Sequence, residues 1–92
     1  MKLLKAENRL TGSWIYKGNN ISKDEITERI EWLLANHLNK IAEDSSGWEI
    51  LYIDPEDNRL WELTYPHSEM QGGGPPALIQ ISNEEAKKKY SI

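Results

Sequence analysis

The chain of 92 residues has no cysteine, no phenylalanine and only two histidines. The absence of cysteine excludes disulfide bonds, thiolate zinc sites and a cysteine nucleophile. No segment approaches the roughly 20 apolar residues that span a bilayer, and charges interrupt the short apolar patch at the N-terminus, unlike in a secretory signal. We therefore predict a cytoplasmic chain without membrane contact, whose stability comes from packing.

Residues arranged for catalysis, metal binding or phosphate binding are equally scarce. His37 and His67 form no cluster with the spacing of a metal site, and His37 is expected as a satisfied side chain at the edge of the core. The glycine-rich segment at residues 72–76 ends in two prolines and lacks the lysine and Ser or Thr of a phosphate-binding loop. We expect no catalytic residue, no metal and no cofactor. A minor hydrolase built on Glu62, His67 and Glu69 remains an alternative.

Aromatic and acidic residues are abundant by comparison. Four tryptophans and four tyrosines, each able to bury about 150–250 Å², can form the core of one domain covering residues 1–92. Between Asp24 and Glu69, twelve acidic and three basic residues give a balance of −9, against −4 for the whole chain. A field of this sign repels nucleic-acid backbones and attracts cationic protein surfaces, so we expect a protein partner and no nucleic acid.

Hydrophobic periodicity predicts elements in the order β-α-β-β-β-α, with a further short strand possible at residues 2–6. The predicted strands cover residues 14–16, 48–53, 60–65 and 78–81. Ser22 and Glu25 have the spacing of a capping box, which predicts a long helix from there to about Ile41, and a similar signal at Ser82 opens a short C-terminal helix. The expected fold is an α+β domain of two layers, an antiparallel sheet of about four strands with the long helix packed on one face.

Two predicted surfaces present acidic or aromatic side chains to a partner. Trp32 lies about 160° from the centre of the apolar stripe, taking about 100° per residue, which is typical of an interface anchor. Alternatively, the lead-in or the C-terminal helix covers Trp32 in a second, smaller core. The turn at residues 54–59 places three carboxylates at an exposed hairpin tip, either for a basic cleft or as an ordinary solvated turn. The candidate partner-binding residues are Glu28, Glu31, Trp32, Asp54, Glu56, Asp57 and Glu69.

Three stretches, at residues 10–14, 28–33 and 60–76, resemble the immunity protein 27 family of bacterial polymorphic toxin systems. The most specific motifs, both within the third stretch, are Trp-Glu-Leu-Thr-Tyr-Pro and Ser-Glu-Met-x-Gly-Gly-Gly-Pro-Pro. The similarity extends from about Leu10 to Tyr90, so it covers most of the chain.

The resemblance implies an immunity protein that binds the C-terminal domain of a cognate toxin and occludes its active site. Family members often carry glutamine at the position of His67, so the resemblance implies no catalytic histidine. An acidic inhibitor suits a nuclease, because enzymes that act on nucleic acid need basic grooves. We expect a monomer or weak dimer when the chain is free. The alternative from another class is a small-ligand or regulatory binding module without catalysis, which would use the sheet and the glycine-rich segment.

Overall fold

The computed structural model describes residues 2–18, 20–68 and 74–91, with Lys17 described by its backbone alone. The elements in chain order are β1 (Arg9–Thr11), β2 (Trp14–Lys17), β3 (Asn20–Lys23), α1 (Glu25–Asn36), β4 (Asn39–Glu43), β5 (Ile50–Ile53), β6 (Leu60–Thr64), β7 (Ala77–Ile81) and α2 (Asn83–Tyr90). The α+β class predicted from the sequence is confirmed. The prediction did not include β1, β3 and β4.

Five strands form an antiparallel sheet in the order β1-β7-β6-β5-β4, with β6 in the middle. The strand predicted at residues 14–16 exists, but it does not join this sheet. It turns back at Gly18, which has a φ of 58°, and forms a separate hairpin with β3 in which Trp14 pairs with Lys23. The possible strand at residues 2–6 is absent, because that segment has no regular structure.

Helix α1 is shorter than predicted at both ends. Its N-cap is Asp24, whose Oδ1 accepts a backbone hydrogen bond at 2.7 Å, whereas Ser22 lies in β3. Ser22 and Asp24 can both cap a helix, but Ser22 is part of the hairpin of β2 and β3. At the other end Leu38 N donates to Leu33 O at 2.8 Å, and the chain then enters β4. Residues 39–41 are therefore strand rather than helix, because pairing with β5 overrides helical apolar spacing.

One helix covers each face of the sheet. On the α1 side the buried cluster consists of Leu10, Ile30, Leu33, Leu38, Trp61, Leu63 and Leu78. On the α2 side it consists of Leu51, Leu60, Ala86 and Tyr90. Strand β6 supplies both clusters because successive side chains of a strand point to opposite faces. The long helix packs on one face as predicted, and α2 adds a third layer to the expected two.

Helix α2 begins where the sequence predicts. Ser82 Oγ accepts a hydrogen bond from Glu85 N at 3.1 Å, and Glu85 Oε1 accepts one from Ser82 N at 3.2 Å, which completes a capping box. Among the described residues, neither helix is long and apolar enough to cross a membrane.

The lead-in, residues 2–8, lies between α1 and the β5–β6 turn and is held by two arginines. The Arg29 guanidinium donates to both carboxylate oxygens of Glu7 at 2.6 Å. Arg59 donates to the backbone oxygens of Glu7 and Leu4 at 2.7 and 3.1 Å. Because Arg29 belongs to α1 and Arg59 to the β5–β6 turn, their hydrogen bonds to the lead-in connect the helix to the turn.

The Glu7–Arg29 pair makes the free energy of unfolding depend on pH. The hydrogen bonds from Arg29 lower the pKa of Glu7 from 4.5 to about 2. A carboxylate whose pKa is lower in the folded than in the unfolded chain stabilises the fold at pH values above its unfolded pKa. This stabilisation is at most about 3 kcal/mol, and it is lost as the pH falls toward about 2. We expect Glu7→Gln to lose less unfolding free energy than the wild type between about pH 6 and about pH 3, measured by urea unfolding.

Glu84→Gln is the matched control, because Glu84 is exposed and forms no ion pair with any described residue. It should follow the wild-type pH dependence. If Glu7→Gln also follows it, the pair with Arg29 does not couple protonation to folding.

Candidate functional site

The two predicted partner surfaces lie next to each other in the fold. The rings of Trp32 and His37 stack with centroids 6.5 Å apart and an interplanar angle of 19°. His37 Nε2 in turn lies 3.0 Å from Asp54 Oδ1, with both side chains buried. This series of contacts connects the C-terminal half of α1 to the base of the β5–β6 turn.

Asp54 is the clearest correction to the predicted site, because it is only 2% exposed. Its Oδ1 accepts a hydrogen bond from Glu56 N at 2.9 Å, and its backbone bonds to Asn58 and Arg59 across the turn. An aspartate at the start of a turn commonly closes such bonds. The expectation of three carboxylates at an exposed tip is therefore wrong, and Asp54 shapes the turn from inside.

His37 lies at the edge of the core, as predicted. The expectation that it would be satisfied is not met, because its Nε2 makes no hydrogen bond to any described group. The contact with Asp54 is close but does not have hydrogen-bond geometry, so it is an ion pair only when His37 is protonated.

The other two carboxylates of the turn are engaged with cations. Glu56 is exposed and pairs with Lys2, and the hydrogen bond from Lys2 lowers the pKa of Glu56. Asp57 is partly exposed, and its Oδ2 lies 2.6 Å from Arg59 Nε. Each of these two carboxylates therefore lies beside a cation, Lys2 from the lead-in and Arg59 from the turn itself.

Among the described residues, the outward side of α1 keeps more unpaired negative charge than the turn. We call it the outer acidic face and define it by Glu25, Glu28, Glu31 and Trp32. Its three carboxylates are exposed. Glu31 pairs with Lys23 at 2.8 Å, whereas Glu25 and Glu28 form no ion pair within the described part of the chain. Trp32 is half-buried and packs against the α1-side cluster, as does Leu3 of the lead-in. Trp32 therefore lies partly at the surface and partly against the main core, rather than in the second, smaller core of the predicted alternative.

The glycine-rich segment is described only in part. Glu69 and residues 70–73 lie outside the described residues. Gly74, Pro75 and Pro76 are buried, and Pro76 O accepts a hydrogen bond from Gly12 N at 2.9 Å. Two of the stretches that carry the family resemblance thus meet in the fold, which gives this part of the segment a structural role.

Trp48 is a surface residue that the sequence patterns do not single out. The sequence predicts it at the start of a strand over residues 48–53, but β5 starts at Ile50 and Trp48 is 60% exposed. Asp44 fixes the preceding turn, since its Oδ1 accepts hydrogen bonds from Ser46 N, Gly47 N and Glu49 N at 3.1, 2.9 and 3.3 Å. The Asp-Ser-Ser-Gly pattern before Trp48 is a turn signal that could have indicated this position.

Trp48 forms one wall of an open groove of about 510 Å³. We call it the Trp48 groove, lined by Ser46, Trp48, Glu49, Thr64, Tyr65 and Ser68. Tyr65 meets the Trp48 ring edge to face, with centroids 6.0 Å apart.

A network of charged groups lies beside this groove. Lys89 Nζ lies 2.5 Å from Glu49 Oε1 and 2.9 Å from Glu62 Oε2. Tyr90 donates to Glu62 at 2.8 Å, and burial together with this bond raises the pKa of Tyr90. Glu62 of β6 therefore joins α2 to the sheet. Among the described residues, no group of three or more His, Asp or Glu side chains is placed to hold a metal.

Comparison with protein families identifies a match. The family model described as Immunity protein 27 matches residues 16–82, which span the chain from within β2 to the end of β7. No curated protein and no solved structure matches the chain.

Proposed function

The chain belongs to the immunity protein 27 family, and from this premise we propose that it binds the C-terminal domain of a cognate toxin and covers the toxin's active site. Neutralisation by occlusion needs no catalysis by the inhibitor. The observation that carries the proposal beyond family membership is the outer acidic face, where exposed carboxylates lie beside a half-buried tryptophan.

The charges of this face favour a cationic partner. Glu25 and Glu28 carry negative charge that no described cation neutralises, and Glu31 shares its charge with Lys23 in an exposed pair. Exposed pairs contribute about 0–1 kcal/mol, so Glu31 can exchange Lys23 for a partner's cation at little cost. A nuclease needs a basic cleft for its phosphate-bearing substrate, and this face offers a competing negative surface.

Trp32 supplies an anchor whose position is largely set before binding. Its contact with the α1-side cluster and its stacking on His37 restrict the ring. A side chain that is already ordered loses less conformational entropy on binding, and tryptophan is enriched among residues that dominate interface energies. In this arrangement Asp54 positions the turn from inside, while Glu56 and Asp57 lie at the rim.

The proposal is tested by expressing the toxin domain encoded next to this chain in a sensitive cell, with and without the chain. We expect rescue of growth and a stable complex on gel filtration. Failure of both rescue and complex formation would overturn the proposed function for that toxin.

Reversing one charge of the outer acidic face should slow association with the toxin. We expect Glu28→Lys to lower the association rate about three- to tenfold at low salt, because charges at an interface act mainly on encounter. The difference should shrink at high salt, since added ions screen exposed charges. Surface plasmon resonance at two salt concentrations measures both effects.

Glu84→Lys is the matched control for this change. Glu28 and Glu84 are both exposed acidic residues in the first turn of a helix, so each reversal loses a similar interaction with the helix dipole. Helix α2 lies on the opposite face of the sheet, and its variant should associate at the wild-type rate. Equal slowing by both variants would show that total charge matters and the outer acidic face does not.

A further inference from the structure

The Trp48 groove combines an exposed aromatic wall with a fixed backbone. Asp44 anchors the turn that carries Trp48, and Trp48 N itself donates to Ser46 Oγ at 3.1 Å. Because Tyr65 contacts the indole at an interplanar angle of 84°, the pair forms a corner rather than a closed stack. An indole held in this way is ordered before any partner arrives, which lowers the entropy lost on binding.

The charges around the groove have a net negative sign. The lining residue Glu49 is bonded to Asp44 and Lys89, and Lys89 also pairs with Glu62, so these four connected residues have a balance of −2. Glu49 uses each carboxylate oxygen once, for Lys89 and for Thr64 Oγ1 at 2.7 Å. A carboxylate has about four acceptor positions, so Glu49 can accept a further donor while Lys89 stays paired with Glu62.

We infer that the Trp48 groove receives an arginine side chain of the toxin, with the guanidinium against the indole face and bonded to Glu49; this inference rests on the proposed function. A guanidinium stacks on an aromatic ring and bonds to a carboxylate in the same plane, whereas an ammonium group is a compact, strongly hydrated charge. An arginine therefore uses both the wall and the carboxylate of the groove.

A first experiment tests the groove without the toxin. The ¹⁵N-labelled full chain is titrated with N-acetyl-argininamide, and N-acetyl-citrullinamide serves as a neutral probe of nearly the same shape. We expect the indole N–H signal of Trp48 to shift with the arginine probe alone, and to shift less in Glu49→Gln. No shift, or equal shifts with both probes, would overturn the inference.

A second experiment uses the toxin domain. Trp48→Ala should weaken the complex about 30-fold or more, the size typical of an interface hot spot, as measured by calorimetry. Its melting temperature should stay close to the wild-type value because the ring is mostly exposed. Should it fall, Ser68→Arg decides the question, since this exposed lining residue would place a guanidinium of the chain's own in the groove and compete with the toxin.

The outcomes separate this inference from the function on which it rests. A wild-type complex that Trp48→Ala and Ser68→Arg leave equally tight overturns the inference while the immunity function stands. If the wild type neither rescues cells nor forms a complex, the proposed function fails. The titration with the arginine and citrulline probes then decides whether the groove binds a guanidinium.

Discussion

Replacing Trp61 by alanine is expected to lower the free energy of unfolding by about 3–5 kcal/mol, the usual cost of removing a buried aromatic ring. Trp61 is 0% exposed and lies on β6, the middle strand of the sheet. Its ring packs within the α1-side cluster, and the Arg59 guanidinium lies 5.0 Å from the ring centroid. The loss would therefore leave a cavity between the sheet and α1. Urea unfolding followed by circular dichroism measures the effect.

Two controls distinguish burial from the mere loss of an aromatic residue. Trp61→Phe should cost much less, because it keeps a ring in place and removes an indole N–H that has no hydrogen-bond partner among the described groups. Trp48→Ala removes a mostly exposed tryptophan and should change unfolding by no more than about 0.5 kcal/mol. Similar losses for Trp61→Ala and Trp48→Ala would contradict the core as described.

The parts of the fold that could be predicted are those where local pattern and tertiary packing agree. The alternation at residues 60–65 predicts β6, and the Ser82 signal predicts α2. Where two local signals compete, the sequence does not select between them. Ser22 and Asp24 can both cap a helix, and the apolar spacing at residues 38–41 suits a helix and an edge strand alike. Pairing with other strands decides both cases, and a short window of sequence does not reveal which strand a segment pairs with.

The candidate site shows the same limit. The carboxylates of α1 are exposed as their helical positions predict, but the burial of Asp54 depends on His37 approaching from a different element. The exposure of Trp48 depends on where β5 begins, and strand boundaries are set by pairing with neighbouring strands. The assignment of Glu28, Glu31 and Trp32 as partner contacts stays a prediction.

Gly74→Ala is expected to lower the free energy of unfolding by about 2–4 kcal/mol, through backbone strain and a clash. Gly74 has a φ of 73°, where residues with a side chain are strained. An added Cβ would lie well inside contact distance of His67 O and 2.9 Å from its carbonyl carbon. Because both are backbone atoms, no side-chain rotation can relieve the contact. Movement of this segment would also disturb Pro76, which accepts the hydrogen bond from Gly12.

Gly47→Ala is a closely matched control, because Gly47 has a φ of 76° but nothing within 4 Å of an added Cβ. Gly47→Ala should lower the free energy of unfolding only by the cost of its backbone conformation, about 1–2 kcal/mol. The difference between the two variants in urea unfolding therefore measures the close approach of Gly74 to His67. A clear excess for Gly74→Ala means that the Gly-Pro-Pro segment is held against the end of β6 by shape. Equal losses would show that the segment can move away, and its glycine would then matter only for its backbone angle.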